Sequence, residues 1–244
     1  MKSPKLRDSK RLITYEPYPI NEFPDSLITK IAGKIVYLLH TVRKDLSGND
    51  VGDIFAEAIN AEHLASPVGI ADVVLNKMAW SIKTVKSANP ENTTNVRLIS
   101  GRCSPDFSYG ITDPHIDVNR TGQAVLNIWN ERVNIAQDNY SRVRTLVLVR
   151  NLDLSKFLLF EEDNHRFPTN NYEWIVNKNG NLEGKDKSNQ EHKFTWQPHG
   201  SQFTIITNVP NSKVIFEIRK PPVMTPESVL KSLDFDESWV KIIR

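Results

Sequence analysis

Residues 72–83 place an acid, a hydroxyl and a lysine within one short stretch of chain. Apolar residues on both sides of Asn76-Lys77 predict two antiparallel strands joined by those two residues as a tight turn. In that register Asp72 lies opposite Ser81, and because side chains alternate along a strand, both share one face with Lys83. Opposed Cβ atoms lie about 5 Å apart, so the three side chains can converge on one cation or phosphate.

An acid and a lysine on neighbouring strands also form ordinary solvated ion pairs. In that alternative Asp72 and Lys83 are a surface pair, and the chain is an α+β enzyme unrelated to nucleic acid. The elements that surround the hairpin distinguish the two interpretations.

The residues before the hairpin predict two helices. Apolar residues recur at helical spacing over 26–43, with Ser26 as the cap, and again over about 51–64. The second helix carries Glu57 close beside its apolar stripe. A carboxylate is therefore predicted on the helix that leads into the hairpin.

The residues after the hairpin predict a strand, a helix and two further strands. A strand is expected at 95–99 and a long helix over about 121–137. The apolar run 144–150, bounded by charges, is typical of a buried central strand, with 156–161 as its hairpin neighbour. Later strands are predicted at 172–176, 193–196, 202–208 and 213–219, and a terminal helix at 226–233 capped by Thr225.

These elements predict an α+β fold with an α/β core, in which helices flank a central mixed β-sheet. We divide the chain into an irregular N-terminal arm (1–25), a core (26–161) and a β-rich C-terminal elaboration (162–244) of the same domain. The arm is expected to cover the body or to reach a partner.

Composition is that of an ordinary globular protein. The chain has 244 residues, of which 39% are hydrophobic and 25% charged, and its net charge of +2 does not by itself indicate a nucleic-acid partner. A single cysteine, Cys103, excludes an intrachain disulfide and is assigned a structural role. No apolar run approaches the roughly 20 residues of a membrane helix, and no secretory signal is recognisable. A cytoplasmic protein without a membrane partner is predicted.

Common cofactor and hydrolase motifs are absent. The sequence has no Gly-x-Gly-x-x-Gly, P-loop, His-Glu-x-x-His or Gly-x-Ser-x-Gly pattern, so no organic cofactor is expected. His115 and Asp117 could bind a metal, but the proline between Asp113 and His115 favours a turn held by local polar groups.

The order of helix, β-hairpin, strand, helix and strand over residues 51–160 resembles the PD-(D/E)XK nuclease superfamily. On that resemblance Asp72 matches the family aspartate, Lys83 its lysine and Glu57 the acid on the preceding helix. The family acid two residues before the lysine is replaced here by Ser81. Among its members the chain looks most like a type II restriction endonuclease.

The resemblance implies a restriction-endonuclease-like fold and a Mg²⁺-dependent enzyme that hydrolyses double-stranded DNA at a specific sequence. Asp72, Lys83, Glu57 and Ser81 would be catalytic, with Asp72 and Glu57 as metal ligands. Glu62 and Glu91 remain open as alternative sources of the second carboxylate. The alternative function is a non-catalytic DNA-binding or assembly module whose nuclease site has degenerated at Ser81.

Basic residues outside the hairpin are the candidates for DNA contacts. Cutting a palindromic site would favour a homodimer, since the symmetry of the site mirrors that of the protein. The loop 177–192 is either a recognition loop or a solvated turn. The predicted DNA-binding residues are Lys86, Arg97, Arg102, Arg166, Lys178, Lys185 and Lys187.

Overall fold

Two β-sheets and their flanking helices make up the computed structural model, which describes residues 16–64 and 70–243. The helices are α1 (Asp25–His40), α2 (Gly48–Ile59), α3 (Pro105–Tyr109), α4 (Val118–Asn139) and α5 (Pro226–Ser232). The strands are β1 (Glu62–His63), β2 (Val73–Leu75), β3 (Met78–Lys86), β4 (Asn95–Arg102), β5 (Arg142–Arg150), β6 (Lys156–Asp163), β7 (Tyr172–Val176), β8 (Leu182–Asp186), β9 (His192–Gln197), β10 (Gln202–Asn208) and β11 (Val214–Glu217). Within the described ranges, no helix has the length and apolar character needed to cross a membrane.

The central sheet has six strands in the order β1-β2-β3-β5-β6-β11. Strands β3 and β5 are parallel, and the chain passes between them through α4, while the other neighbours are antiparallel. The predicted α+β fold with a central mixed sheet flanked by helices is confirmed.

The hairpin β2–β3 has the predicted register. Val73 pairs with Trp80 and Leu75 with Met78, so the turn consists of Asn76 and the lysine that follows it. Asn76 has a φ of 53°, in the left-handed region that asparagine tolerates better than most residues. The turn chemistry therefore fixes which face each side chain of β3 occupies.

The two faces of β3 have different surroundings. Met78 and Trp80 belong to a core with α1 and α2, where the Trp80 ring meets Phe55 edge-on at 5.5 Å. Ala79 belongs instead to the core that α4 forms with the second sheet. Because side chains alternate, the odd-numbered Lys83 projects toward the α4 side of the sheet.

The second sheet has five strands in the order β4-β10-β9-β8-β7 and includes a strand from the middle of the chain. Val96 and Leu98 of β4 pack directly on Val147 and Val149 of β5. In the opposite direction, β11 returns from the C-terminal part to pair with β6 in the central sheet. A boundary at residue 161 therefore does not separate the two sheets.

Three local predictions need correction. Pro24, not Ser26, precedes α1 and gives no side-chain cap, whereas α2 begins earlier than expected because Ser47 and Asp50 form a capping box. The segment 177–192, predicted as a loop from its Gly-, Lys- and Asn-rich sequence, contains strand β8. Gly184 is required there, since a Cβ would lie 2.9 Å from the Phe194 ring.

The described part of the N-terminal arm packs on the body of the protein. Tyr18 is buried and donates a hydrogen bond to Glu161 Oε1 at 2.8 Å. The Asn21 side chain bonds both the backbone N–H and the carbonyl of Glu161, and Glu16 pairs with Arg144 at 2.6 Å. These contacts hold residues 16–21 against the central sheet, and the rest of the arm, 1–15, lies outside the described residues.

Candidate active site

Asp72 directly precedes β2, beside the part of β3 from Ser81 onward, which pairs on this side with none of the strands in the described ranges. Its carboxylate oxygen Oδ2 accepts a hydrogen bond from the Ile82 backbone N–H at 2.7 Å and one from Ser81 Oγ at 3.3 Å. Strand β2 begins only at Val73, so within the described part of the chain no strand offers the Ile82 amide a backbone acceptor on this side. The Asp72 side chain thus supplies the acceptor that a neighbouring strand would otherwise provide. The hydrogen bonds from the Ile82 N–H and from Ser81 Oγ both end on its Oδ2.

Lys83 is the titratable group whose environment is most unusual in this region. Burial lowers the pKa of its ammonium group below the ordinary value, because a charged form is costly away from water. Asp72 opposes that change and the positive charge of Arg132 adds to it. The predicted pairing of Asp72, Ser81 and Lys83 on one face is therefore present, with a lysine that gives up its proton more readily than a solvated one.

Arg132 is the site residue that the sequence did not reveal. It lies on α4, where its guanidinium donates to the carbonyl of Arg102 and interacts electrostatically with Lys83. Gly101 makes this approach possible: it has a φ of +103°, and a Cβ there would lie 2.5 Å from Arg132 Nη1. No local pattern points to Arg132, because its position depends on how α4 crosses between the sheets.

A cleft of about 400 Å³ opens beside Lys83. It is lined by residues 82–86 of β3, by residues 97–99 of β4 and by Gly48 at the start of α2. Two predicted DNA-binding residues, Lys86 and Arg97, therefore share this cleft with Lys83. Lys86 pairs with Asp45 at 2.9 Å, and Arg97 donates to Thr195 Oγ1 at 2.7 Å.

The other predicted DNA-binding residues do not line this cleft. Arg102 is at the end of β4, and Arg166 donates to Asn134 Oδ1 at 3.2 Å. Lys178 is exposed in the turn before β8, and Lys185 lies on β8 opposite Glu173. Lys187 donates to the Asn170 carbonyl at 2.9 Å. Lys178, Lys185 and Lys187 lie toward the β7 edge of the second sheet, Arg166 lies in the loop after β6, and Arg102 lies on β4 where its carbonyl accepts from Arg132.

The second carboxylate expected beside Asp72 is not brought there. Glu57 is 62% exposed and forms an ion pair with Lys34 of α1, on the side of the sheet opposite Lys83. Glu62 is exposed on β1, and Glu91 pairs with Lys156 at 3.0 Å. Among the residues described, no group of three or more His, Cys, Asp or Glu side chains is placed to hold a metal ion.

Two further groups that sequence reasoning considered or missed lie apart from Asp72. The His115 backbone N–H donates to Asp113 Oδ1 at 2.9 Å, His115 Nε2 is 3.0 Å from the Gly180 carbonyl, and Asp117 caps α4. Glu162, which was missed, shares the Lys83 face of the sheet, and burial raises the pKa of its carboxyl. It lies two strands from Ser81, about 10 Å by strand spacing, too far to share an ion with Asp72.

No protein-family model, no curated protein and no solved structure matches this chain. The resemblance to PD-(D/E)XK nucleases therefore depends only on the residues and elements described above.

If the protein has the nuclease activity that the resemblance implies, replacing Glu57 with glutamine is expected to leave DNA cleavage unchanged, because the Glu57 carboxylate faces Lys34 rather than Asp72. The exposed ion pair that is lost contributes about 0–1 kcal/mol to the free energy of unfolding. Initial rates of plasmid cleavage for Glu57→Gln and the unsubstituted protein provide the measurement. A loss of a hundredfold or more would instead make Glu57 the second metal ligand, as the resemblance implies.

Proposed function

We propose that this protein is a Mg²⁺-dependent endonuclease that cleaves double-stranded DNA. The observation that supports this most is the joint placement of Asp72, Ser81 and Lys83 at the open edge of β3, with Lys83 desolvated and close to the Asp72 charge. A desolvated lysine beside a carboxylate, next to a cleft, is the arrangement in which functional residues acquire perturbed pKa values.

The residues present suit a weakly held Mg²⁺ ion. Both hydrogen bonds to Asp72 use Oδ2, and none of the described residues donates one to Oδ1. Mg²⁺ needs only one or two carboxylates when substrate phosphates complete its ligands. Asp72 and Ser81 would hold the ion, which when bound supplies electrostatic stabilisation of the charge that develops on phosphorus. With one carboxylate, we expect appreciable metal affinity only when DNA is present.

The basic residues of the site have separate tasks. Lys83, with its lowered pKa, is suited to accept a proton from the attacking water or to donate a hydrogen bond to a phosphate oxygen. Arg132 remains charged and can hold the phosphate beside Lys83, while Lys86 and Arg97 follow the cleft and can position neighbouring phosphates. Hydrolysis at a specific sequence, as in a type II restriction enzyme leaving 5′-phosphate ends, is the finer form of this proposal.

Replacing Asp72 with asparagine tests the proposal with little disturbance of the fold. The asparagine side-chain carbonyl can still accept from the Ile82 N–H, so the edge of β3 remains capped, but the negative charge is lost. We expect plasmid cleavage in Mg²⁺ to fall roughly a hundredfold or more. The free energy of unfolding should change by only about 1 kcal/mol, measured by urea denaturation.

Glu57→Gln is the control, since it also converts a carboxylate to an amide but on the side of the sheet opposite Lys83. Cleavage that survives EDTA, or that is equal in Asp72→Asn and the unsubstituted protein, would contradict the proposal. Binding of DNA without cleavage, independent of metal, would favour the alternative of a non-catalytic DNA-binding module. The observation that favours this alternative is that, of the residues described, Asp72 is the one carboxylate whose charge acts on Lys83, and no group of three metal-ligating side chains is formed.

A further inference from the structure

The C-terminal segment 225–243 carries more exposed large apolar side chains than any other described stretch of the same length. None of its side chains is buried, and residues 234–243 are all exposed. Contiguous exposed apolar surface marks an interaction site in soluble proteins. Its exposed large apolar residues are Leu230, Leu233, Phe235, Trp239, Val240, Ile242 and Ile243.

This segment is nevertheless locally well formed. Thr225 caps α5, Asp236 caps the 3₁₀ turn Glu237–Trp239, and the rings of Phe235 and Trp239 meet edge-on at 5.7 Å. An isolated helix of seven residues gains too little from its own hydrogen bonds to be stable in water. The segment therefore needs a surface on which its apolar side chains can be covered.

A groove between α1 and α2 has suitable size and chemistry. It encloses about 520 Å³, and its wall includes Tyr37, which is 61% exposed, and Ala58 of α2. A Cβ built on Gly33 meets nothing within 4 Å, so the floor of the groove is open. The remaining lining residues are Thr29, Lys30, Lys34 and Glu57.

Charge and position connect the segment to this groove. Asp234, Asp236 and Glu237 surround the exposed aromatic pair, whereas the groove presents Lys30 beside the Lys34–Glu57 ion pair and so carries a net positive charge. The segment also starts at the helix that forms the groove, because the Met224 backbone N–H donates to the His40 carbonyl at the end of α1. Two copies related by a two-fold axis can therefore exchange their segments reciprocally.

We propose that residues 225–243 of one copy bind the α1–α2 groove of a second copy, forming a symmetric homodimer. The exposed state of the segment in the single chain is the reason to place its binding surface on another copy. This inference does not depend on nuclease activity, so a chain that fails to cleave DNA can still form the dimer.

Sedimentation of the full chain, at concentrations up to about 100 µM, tests this proposal, because a dimer with a Kd of about 1 µM would then be nearly fully formed. The unsubstituted protein should be a dimer, and a chain ending at Met224 should be a monomer with unchanged thermal unfolding. Gly33→Trp should weaken the dimer at least about tenfold by filling the groove. Gly33→Ala is its control, since alanine favours the helix and adds little bulk.

Cross-linking identifies the geometry. A Tyr37→Cys variant mixed with a Trp239→Cys variant should form a disulfide-linked heterodimer under mild oxidation, and the buried Cys103 should not compete. A monomeric unsubstituted protein, or a dimer that survives removal of residues 225–244, would overturn the proposal. So would an in-chain disulfide in a monomer that carries both substitutions.

Discussion

Replacing Lys83 with methionine is expected to reduce DNA cleavage by roughly two to three orders of magnitude, the loss typical of removing one preorganised charged donor. The same substitution should raise the melting temperature. Burial already disfavours the Lys83 ammonium group in the folded chain, and methionine fills a similar volume without a charge. Loss of activity together with a gain in stability distinguishes a functional lysine from one that holds the fold together.

The pH dependence of stability follows from the same lowered pKa. The folded chain releases the Lys83 proton at a lower pH than the unfolded chain, whose lysine has the ordinary pKa of 10.5. Between these two values the unfolded state binds more protons, so the free energy of unfolding rises with pH. Urea denaturation across this alkaline window should show the rise in the unsubstituted protein and its absence in Lys83→Met.

Lys77→Met is the matched control, because Lys77 is exposed in the turn of the same hairpin. It should change neither cleavage nor the alkaline stability profile. A Lys83→Met protein that is less stable than the unsubstituted one, yet retains cleavage, would assign Lys83 to a structural ion pair with Asp72.

Replacing Glu161 with alanine is expected to lower the free energy of unfolding by about 3–5 kcal/mol, the usual result of breaking a buried ion pair from one side. The side chains of Glu161 and Arg144 are 0% and 3% exposed, and Arg144 Nη1 lies 3.1 Å from Glu161 Oε2. The other carboxylate oxygen accepts from Tyr18 at 2.8 Å and from Trp80 Nε1 at 2.7 Å. Removing the carboxylate leaves three buried donors without this acceptor.

Urea denaturation of Glu161→Ala and of Glu91→Ala gives the comparison. Glu91 pairs with Lys156 at 3.0 Å, but both side chains are partly exposed, so its loss should lower the free energy of unfolding far less. Equal effects of the two substitutions would mean that the Glu161 cluster contributes no more than a surface pair.

The parts of the site that depend on local sequence were predictable. The Asn76-Lys77 turn determined the pairing of 73–75 with 78–80, and alternation along β3 placed Ser81 and Lys83 on one face, where the Ser81 hydroxyl meets Asp72. The long helix α4 was predicted from apolar residues at helical spacing, and the buried strand β5 from a continuous apolar run. Both patterns are clear because most of each element packs against the rest of the protein.

The parts that depend on packing between distant segments were not predictable. Helical periodicity placed Glu57 beside an apolar stripe but could not say which face of the sheet α2 would cover; the contact between Phe55 and Trp80 decides this. Arg132 acts on Lys83 electrostatically from α4, with its guanidinium passing beside Gly101, and the packing of α4 on the sheets decides that position. Strand β8 was missed because glycine normally disfavours a strand. Here Gly184 is needed since the Trp174 and Phe194 rings pack against its backbone, a contact that a single sequence does not display.

The exchange of strands between the two sheets limits how this protein can change over evolutionary time. Strand β4 leaves the core sequence to join the second sheet, and β11 returns to the first. Neither sheet corresponds to a continuous stretch of gene, so recombination cannot transfer one sheet to another protein as a cassette. New binding properties of the second sheet must instead arise by substitution of its own residues. Each substitution must also be compatible with the packing of the second sheet on the central sheet.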